Sequence, residues 1–472
     1  MEKRILVGGR WIDSAETFDV VSPFSGEHLA KVFTADKRIS NESITSAGKG
    51  AAKIGRLPRF EIARGLRRIA DGIESRREDF ARTIARESAK PMVYARGEVE
   101  RGIATFAWAA GEAERFTGEI VPVDTQPGGR GKTAYTVHRP RGVIYGITPF
   151  NFPLNLVAHK VAPALASGNA IIIKPSPRTP LTALMLGEVF LESGLPPEAF
   201  QVVPLDVRLL DDVFNDDRVA MISFTGSAAV GWEIKSRIGK KALALELGGN
   251  AAVIVDETAD RDAALSKIVT GAFAYSGQVC ISVQRLYLHE SIFDEYTARL
   301  VDEAANVKTG DPLGDDTRFS VMIDEAAAER AEAWIGESTA NGAQVLCGGK
   351  REGALLEPTL ISGTHPEMRV VSEEAFAPLM VVEKFSDMAD AVGQANIGKY
   401  GLQAGVFSKN TDAVSLAVRE LDYGGVIVND VPTFRVDNMP YGGVKDSGFG
   451  REGVRYAMEE MCERKLIVYS LK

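Results

Sequence analysis

The chain has 472 residues, of which 45% are hydrophobic and 25% are charged, a composition typical of a globular protein. A chain of this length exceeds what one hydrophobic core organises, so two or three domains are expected. The formal net charge of -9 disfavours nucleic acid and anionic membranes as main partners, because both attract a positive surface. The expected partner is therefore a small molecule.

Nothing in the sequence predicts secretion, a membrane span or a metal site. The basic start of the chain lacks the apolar length of a signal peptide, and no apolar run approaches the roughly 20 residues that span a bilayer. The three cysteines, Cys280, Cys347 and Cys462, are far apart and lack the spacing of a zinc site. An odd number of cysteines fits a reducing compartment, so a cytoplasmic protein without a metal is expected.

Short apolar runs alternate with longer helical patterns, which predicts parallel βαβ units and an α/β fold. In chain order, the predicted elements are a helix over 60–88, strands over 133–138 and 170–174, a helix over 181–193, strands over 221–224, 251–255 and 286–289, helices over 292–306 and 325–341, and strands over 426–429 and 465–471. The strands over 133–138 and 465–471 either pair inside the monomer or have an edge that another subunit covers.

Cys280 closes the segment FAYSGQVC over 273–280, in which a helical pattern ends in Ser276-Gly277-Gln278 just before the cysteine. A thiol beside polar residues and a glycine is suited to be exposed and partly ionised, which is what a nucleophile needs. A free cysteine is also a common inert core residue. The motif alone leaves both readings open.

Two further side chains suit acid–base and electrostatic work. Glu246 stands between leucines in an apolar run over 242–247, and partial burial would raise its pKa and make it a general base. The alternative is a carboxylate at a strand end that faces solvent. Asn151 lies between Pro149 and Pro153, so its fixed amide suits an oxyanion, although an Asn near Pro is often only a turn residue.

A strand pattern runs into Gly226 and Ser227 and then into a helix. The N-terminus of such a helix offers unpaired N–H groups and a favourable dipole to a pyrophosphate. The segment lacks the Gly-x-Gly-x-x-Gly fingerprint, so it is a weak dinucleotide signal by itself.

Taken together, in this order and spacing, these motifs resemble the aldehyde dehydrogenase superfamily over essentially the whole chain. The matching set is Asn151, Lys174-Pro175, Gly226-Ser227 to Gly231, Glu246-Leu-Gly-Gly, Gly277-Gln-x-Cys280, Glu374-x-Phe376 and the PYGGVKDSG segment over 440–448. The resemblance implies a Rossmann-like NAD(P)-binding domain over 1–121 and 141–247, and an α/β catalytic domain over 248–450. It also implies a β oligomerisation arm over 122–140 and 451–472, and assembly as a homodimer or homotetramer.

The resemblance also implies the chemistry. Cys280 would attack an aldehyde and carry the acyl group as a thioester, with Asn151 and the Cys280 backbone N–H as the oxyanion hole. Glu246 would be the general base for thioester hydrolysis, and Lys160 would lie near the proton pathway. The cofactor, NAD or NADP, would contact Lys174, Thr225, Gly226, Ser227, Gly231, Leu247, Gly248, Glu374 and Phe376.

At two places the resemblance bears on which cofactor and which acceptor are used. Many NAD-specific relatives carry a Glu three residues after the lysine, where this chain has Pro177 followed by Arg178. This predicts that NADP is accepted at least comparably to NAD, because no carboxylate repels a 2'-phosphate. The presence of Glu246 favours water over coenzyme A as the acyl acceptor.

Three residues are candidates for binding the end of the substrate that lies away from the aldehyde carbon. His159 stands where relatives that oxidise succinate semialdehyde carry an arginine, and Arg101 matches a phosphate-binding arginine of non-phosphorylating glyceraldehyde-3-phosphate dehydrogenases. Arg435 lies on a loop that caps the substrate tunnel in such enzymes. The expected substrate is a short, anionic or hydroxylated aldehyde: lactaldehyde, succinate semialdehyde, glyceraldehyde 3-phosphate or phosphonoacetaldehyde. Alternatively, Arg101 pairs with a glutamate on its own helix and Arg435 lies in solvent.

Two other functional classes are consistent with parts of the pattern. One is a non-enzymic structural or binding protein that retains the fold, although such a protein has no physical reason to keep Asn151, Glu246 and Cys280 together. The other is a cysteine hydrolase without a cofactor. That class needs a Cys–His pair, for which the five histidines offer no evident candidate.

Overall fold

The structure, a computed structural model, describes residues 1–470. The strands are β1 (Glu2–Lys3), β2 (Ile5–Val7), β3 (Arg10–Ile12), β4 (Glu16–Val21), β5 (His28–Thr34), β6 (Ile120–Val121), β7 (Lys132–Pro140), β8 (Val143–Ile147), β9 (Ala170–Lys174), β10 (Phe200–Val202), β11 (Val219–Thr225), β12 (Ala242–Glu246), β13 (Ala251–Val255), β14 (Val283–His289), β15 (Gln344–Cys347), β16 (Arg351–Glu352), β17 (Leu355–Leu356), β18 (Thr359–Ser362), β19 (Leu379–Phe385), β20 (Tyr400–Gly401), β21 (Gln403–Phe407), β22 (Gly425–Val428), β23 (Val444–Lys445), β24 (Gly448–Phe449) and β25 (Cys462–Ser470).

The α-helices are α1 (Lys37–Ile54), α2 (Arg59–Glu74), α3 (Arg77–Ser88), α4 (Met92–Arg115), α5 (Asn155–Ala166), α6 (Leu181–Leu191), α7 (Leu210–Phe214), α8 (Ala228–Arg237), α9 (Arg261–Phe273), α10 (Phe293–Ala305), α11 (Glu325–Ala340), α12 (Arg369–Ser372), α13 (Met388–Asn396), α14 (Thr411–Glu420) and α15 (Val454–Glu460). Among the described residues, none of these helices combines the length and the apolar character that a membrane crossing needs.

Two large sheets carry the fold. The first has the strand order β24-β12-β11-β8-β9-β10-β2-β3, and its strands from β12 to β10 run parallel. The second has the order β15-β18-β19-β14-β13-β21-β22 and is parallel except for β15. Every residue of β8, β9 and β13 is buried, because helices cover both faces of a parallel sheet. The predicted α/β class is confirmed.

The register of the first sheet places several motif residues at one edge. β8 ends at Ile147 opposite Lys174 at the end of β9, and β11 ends at Thr225 opposite Glu246 at the end of β12. The carboxyl ends of parallel strands open onto a crevice where α/β proteins bind their ligands. The loops that follow these strands therefore meet at the same edge of the sheet.

The helix predicted over 60–88 is two helices. α2 ends at Glu74 and α3 begins at Arg77, with Arg76 in a non-helical conformation between them. Both helices pack on α4, so the apolar periodicity continues across the break. The hydrophobic pattern indicates the surface with which both helices pack on α4, but it contains no signal for the turn between them.

The strands predicted over 133–138 and 465–471 pair with each other within the same chain. β25 runs antiparallel to β7 from Cys462 opposite Pro140 to Ser470 opposite Lys132, and β6 lies on the other side of β7. The last predicted strand residue, Leu471, lies outside the described residues. Within the described chain, β25 has one partner strand, so its outer edge and its exposed Leu466 and Val468 are left for another surface.

Candidate active site

Cys280 lies at the boundary between two cavities. The larger, of about 540 Å³, reaches Cys280 from the carboxyl edge of the first sheet. The smaller, of about 260 Å³, contacts the thiol from the side of α4 and of the loop over 433–441. Seven of the nine predicted cofactor residues line the larger cavity: Thr225, Gly226, Ser227, Leu247, Gly248, Glu374 and Phe376.

A strained turn carries Cys280 to this boundary. The helical pattern predicted to end at 276–278 ends earlier, at Phe273 where α9 stops, and Tyr275, Ser276 and Gly277 have positive φ values of 50°, 53° and 66°. Left-handed conformations cost roughly 1–3 kcal/mol each in residues other than glycine. At Gly277 a β-carbon would lie 2.1 Å from the Ala377 carbonyl oxygen, so glycine is required there.

Of the two alternatives that the sequence left open for Cys280, the partly ionised thiol is not what the structure favours. Burial raises the pKa of Cys280 to about 12, and its hydrogen-bond partner is the Tyr441 hydroxyl at 3.2 Å. The polar neighbours do not reach the sulfur: the Ser276 hydroxyl donates to the Ser320 carbonyl, and the Gln278 side chain accepts from the Ile323 N–H. Cys280 therefore rests as a neutral thiol, and a base has to remove its proton.

Asn151 is buried at the wall of the larger cavity, two residues beyond Pro149 and four residues before α5. Its side-chain amide donates to the Gln278 carbonyl at 3.0 Å, which joins the Asn151 loop to the Cys280 loop. The amide and the thiol thus share one cavity wall. An amide in this place can turn its N–H toward an oxygen bound beside the sulfur.

Glu246 is buried at the end of β12, so the solvent-facing alternative is wrong. Its Oε2 has no hydrogen-bond partner within residues 1–470. Burial, followed by the charge of Glu452, raises its pKa well above the usual value. The protonated form of Glu246 is therefore favoured to higher pH than in an exposed glutamate.

Glu452 is a site residue that the sequence reasoning missed. Its carboxylate accepts from Lys160 at 3.4 Å and from Arg435 at 3.0 Å, and Lys160 also donates to the Ser223 hydroxyl at 3.0 Å. Burial opposes the ionisation of Glu452, but these two cations lower its pKa to about 2. Glu452 is therefore ionised, whereas the pKa of the neighbouring Glu246 is raised, and both carboxyl groups lie close to the buried Lys160.

The larger cavity has an unsatisfied polar atom where a ligand would lie. Thr225 Oγ1 is buried and without a hydrogen-bond partner in the described chain, at the start of the loop that leads into α8. The Gly226 N–H is not free, because it donates to the Glu246 carbonyl at 3.0 Å. Gly231 does not line this cavity, and a β-carbon there would lie 2.3 Å from Leu247 Cδ2, so glycine lets α8 pack on Leu247.

Glu374 and Phe376 close the far side of the larger cavity. Glu374 accepts from the Gly249 N–H at 2.9 Å, and burial raises its pKa to about 7. A β-carbon at Gly248 would lie 2.2 Å from the Glu374 carboxylate, so the glycine permits this approach. Phe376 has a φ of 48° and packs edge-on against Phe150.

Lys174 is buried at the end of β9 and does not line the larger cavity. Its ammonium lies 3.4 Å from the Pro175 carbonyl, and burial lowers its pKa to about 8. Arg178 is exposed and pairs at 2.7 Å with Asp324, which does line that cavity. The guanidinium thus already has a carboxylate partner.

Of the three substrate candidates, Arg101 and Arg435 line the smaller cavity. Arg435 is only 6% exposed, pairs with Glu452 and lies 3.7 Å from the centre of the Tyr441 ring, so the solvent alternative is wrong. Arg101 pairs with Asp437 at 2.9 Å and not with a glutamate of its own helix.

His159 does not line the smaller cavity. Its ring is buried, and its Nε2 lies 2.8 Å from the same Asp437 oxygen that accepts from Arg101. Asp437, a second residue that sequence reasoning missed, therefore joins His159 to Arg101. An indirect role through Asp437 fits this geometry better than contact of His159 with a substrate.

Comparison with known proteins identifies the family. The aldehyde dehydrogenase family profile matches residues 11–467. A 3-sulfolactaldehyde dehydrogenase of Priestia aryabhattai is 40% identical over 470 residues, covering 99% of this chain and 98% of the relative. A lactaldehyde dehydrogenase of Methanocaldococcus jannaschii is 37% identical over 475 residues, covering 99% of this chain and 100% of the relative.

Two solved structures share the fold over nearly the full length. Aldehyde dehydrogenase 21 from Physcomitrella patens, in complex with the reaction product succinate, has a TM-score of 0.97 and 39% identity, covering 99% of this chain and 98% of its own. The glyceraldehyde-3-phosphate dehydrogenase GapN of M. jannaschii, complexed with NADP, has a TM-score of 0.93 and 36% identity, covering 97% and 100%. The chain therefore belongs to the aldehyde dehydrogenase family and oxidises an aldehyde with NAD or NADP.

Proposed function

We propose that Cys280 is the nucleophile, that Asn151 and the Cys280 backbone N–H form the oxyanion hole, and that Glu246 is the general base. The observation that carries this assignment is the position of Cys280 at the boundary of two cavities. One cavity can bring a cofactor to the sulfur and the other can bring an aldehyde. Covalent capture between the two suits hydride removal, because the hydride departs only from a tetrahedral carbon.

Each step of the proposed aldehyde oxidation is assigned to one group. Water that enters the larger cavity takes the proton of the Cys280 thiol, the sulfur then bonds to the carbonyl carbon as the C=O π bond breaks, and the Asn151 amide stabilises the negative oxygen. NAD or NADP, when bound, supplies the hydride acceptor, and reformation of the C=O bond leaves a thioester on Cys280. Glu246, as the carboxylate, removes a proton from water, the water oxygen bonds to the acyl carbon and the C–S bond breaks. The buried pair Lys160–Glu452 provides a route by which that proton leaves.

The larger cavity fits the dinucleotide. We assign it Thr225, Gly226, Ser227, Leu247, Gly248, Glu374 and Phe376, and the unpartnered Thr225 hydroxyl supplies a buried donor for a polar ligand. Gly231 acts by letting α8 approach Leu247. Lys174 is assigned to the adenosine ribose on the resemblance, and contact with the cofactor requires its ammonium to leave the Pro175 carbonyl.

NADP is expected to support turnover with a kcat/KM within about tenfold of that for NAD. Position 177 is a proline, so it has no carboxylate to repel a 2'-phosphate. Arg178 pairs with Asp324 and neutralises its charge at the wall of the larger cavity. Replacing Arg178 by alanine leaves Asp324 uncompensated, so the kcat/KM for NADP should fall more than that for NAD, by a ratio of about three to tenfold. Initial rates with both cofactors decide this, and a hundredfold preference of the wild-type protein for NAD would contradict it.

The proposed substrate is a short aldehyde with an anionic or hydroxylated far end. The two arginines of the smaller cavity support this choice, since Arg101 remains partly exposed while it pairs with Asp437. The named substrates and ligands of the compared proteins have the same character: 3-sulfolactaldehyde, lactaldehyde, succinate and glyceraldehyde 3-phosphate. His159 is proposed to orient Arg101 through Asp437.

A panel of aldehydes tests the substrate class together with the oxidation itself. Absorbance at 340 nm should rise with aldehyde and cofactor, and kcat/KM should be higher for 3-sulfolactaldehyde, lactaldehyde or succinate semialdehyde than for propanal. Arg101→Ala should lower kcat/KM by about 10- to 100-fold for anionic members, as expected for the loss of one charge-assisted hydrogen bond, and by less than about threefold for propanal. Arg96, on the same helix but paired with Glu78 and Asp315, offers a matched control. Equal values for propanal and every anionic member would refute the substrate class.

We also propose the domain division 1–121 with 141–247, 248–450, and an arm of 122–140 with 451–472. One large sheet contains β12, which ends at Glu246, and the other contains β13, which begins at Ala251, and this supports the boundary between residues 247 and 248, although β24 returns to the first sheet. A homodimer or homotetramer is proposed, supported by the exposed apolar side chains of the β25–β7–β6 sheet, with Ile120 84% exposed. Light scattering at micromolar concentration reports this assembly.

A further inference from the structure

A fully buried lysine lies beneath both loops of the proposed oxyanion hole. Lys90 stands between α3 and α4, and its ammonium donates to the Asn151 carbonyl at 2.7 Å. The same ammonium lies 3.7 Å from the centre of the Phe152 ring and 4.6 Å from the centre of the Tyr275 ring. It therefore touches the loop that carries Asn151 and the strained turn that leads to Cys280.

Glu98, on α4, balances this charge and fixes the next part of the same loop. It forms a buried ion pair with Lys90. Its other oxygen accepts from the Leu154 N–H at 2.8 Å and from the Asn155 N–H at 3.1 Å, where α5 begins. The Lys90–Glu98 ion pair therefore binds both the Asn151 carbonyl and the backbone N–H groups of Leu154 and Asn155.

Stability alone does not account for these charges. Taking an ion pair out of water costs several kcal/mol per ion, and well-packed apolar residues of similar volume are often as stabilising or more so. Lys90 lines the smaller cavity, but Glu98, the Asn151 carbonyl and an aromatic face already occupy its ammonium. Lys90 therefore contacts the loop of Asn151 and the turn before Cys280, and its ammonium is not left to bind the substrate.

We propose that Lys90, held by Glu98, is a positioning residue that sets the Asn151 amide relative to the Cys280 loop. Lys90 anchors the backbone of Asn151, and its cation–π contacts with Phe152 and Tyr275 join the two loops across the cavity floor. The inference rests on the oxyanion role proposed for Asn151. Displacement of that amide by about 1 Å is enough to lower the rate about 100-fold.

A double-mutant cycle tests whether Lys90 acts through Asn151. Lys90→Met should lower kcat by about 10- to 100-fold, with the KM for NAD(P) changed by less than about twofold. In an Asn151→Ala background, which itself loses about 100- to 1000-fold, the further loss on Lys90→Met should be below about threefold. Equal effects of Lys90→Met in both backgrounds would overturn the inference, because they would show that the lysine acts on the fold at large.

Variants of Glu98 and Glu87 test the same inference if Lys90→Met does not fold. Glu98→Gln keeps an acceptor for the α5 amides, removes the counter-charge and should reproduce the kcat loss and the coupling to Asn151→Ala even if Lys90→Met does not fold. Glu87 is the control for a buried carboxyl group that accepts from backbone N–H groups, since it accepts from those of Leu181 and Thr182 in α6 and burial raises its pKa to about 8. Glu87→Gln should leave kcat within about twofold. Thermal unfolding reports the stability of each variant, and loss of coupling with Glu98→Gln would contradict the inference.

The two proposals fail in different ways. If Asn151→Ala keeps the wild-type kcat, the proposed oxyanion hole is wrong, and the inference falls with it. If Asn151→Ala loses activity as expected and Lys90→Met does not lower kcat, only the positioning role of Lys90 is wrong.

Discussion

Replacing Cys280 by alanine is expected to abolish aldehyde oxidation, with kcat lowered at least about 10⁴-fold. The change removes the only group in the proposed mechanism that bonds to the substrate, so the cofactor and the oxyanion hole have no tetrahedral carbon to act on. Folding should be retained, because the sulfur contacts two cavities and a tyrosine hydroxyl and its loss opens little new space. Absorbance at 340 nm and thermal unfolding of the purified variant measure the two quantities.

Cys347→Ala is the matched control, since Cys347 is a free, partly buried cysteine that packs on the core of the second sheet. It should keep the wild-type kcat. In the wild-type protein without cofactor, alkylation of Cys280 by iodoacetamide should be slow at pH 7 and should rise about tenfold per pH unit up to pH 10. The sign follows from a thiol whose pKa of about 12 lies above this range. Aldehyde oxidation by Cys280→Ala at more than about one per cent of the wild-type rate would exclude the cysteine as nucleophile.

The parts of the fold that the sequence could predict are those that a local pattern determines. The continuous apolar runs of β9 and β13 predict strands buried on both faces, and the structure has them at 170–174 and 251–255. Leucines on both sides of Glu246 indicated its burial as one of two alternatives, and the structure has the residue buried at the end of β12. A strand followed by Gly226 and Ser227 likewise predicted the start of α8.

The parts that could not be predicted depend on distant partners. Glu452 meets Lys160 across 292 residues of sequence, and only the return of β24 to the edge of β12 brings them together. The spacing of polar residues around Cys280 suggested an ionised thiol, because a sequence cannot show that Ser276 and Gln278 bond elsewhere. The alternative in which Arg101 pairs with a glutamate of its own helix was also wrong, since its partner Asp437 lies 336 residues away in the sequence.

Replacing Glu246 by glutamine is expected to separate the two halves of the reaction. Glutamine keeps the volume of the side chain but cannot take a proton from water, so hydrolysis of the thioester should fall by about 100- to 10,000-fold. Attack by Cys280 and oxidation require other groups and should proceed. Rapid mixing with aldehyde and cofactor should therefore show a burst of about one reduced cofactor per active site, followed by a stall.

Two further measurements bear on the same variant. Mass spectrometry of the stalled protein should find the acyl group on Cys280, whereas a slow single phase without an acylated protein would place the base elsewhere. Burial and Glu452 raise the pKa of Glu246 above its ordinary value of 4.5, so the carboxylate needed for catalysis continues to increase as pH rises beyond that value. Thioester hydrolysis by the wild-type protein should therefore accelerate with rising pH, and in Glu246→Gln this acceleration should be lost.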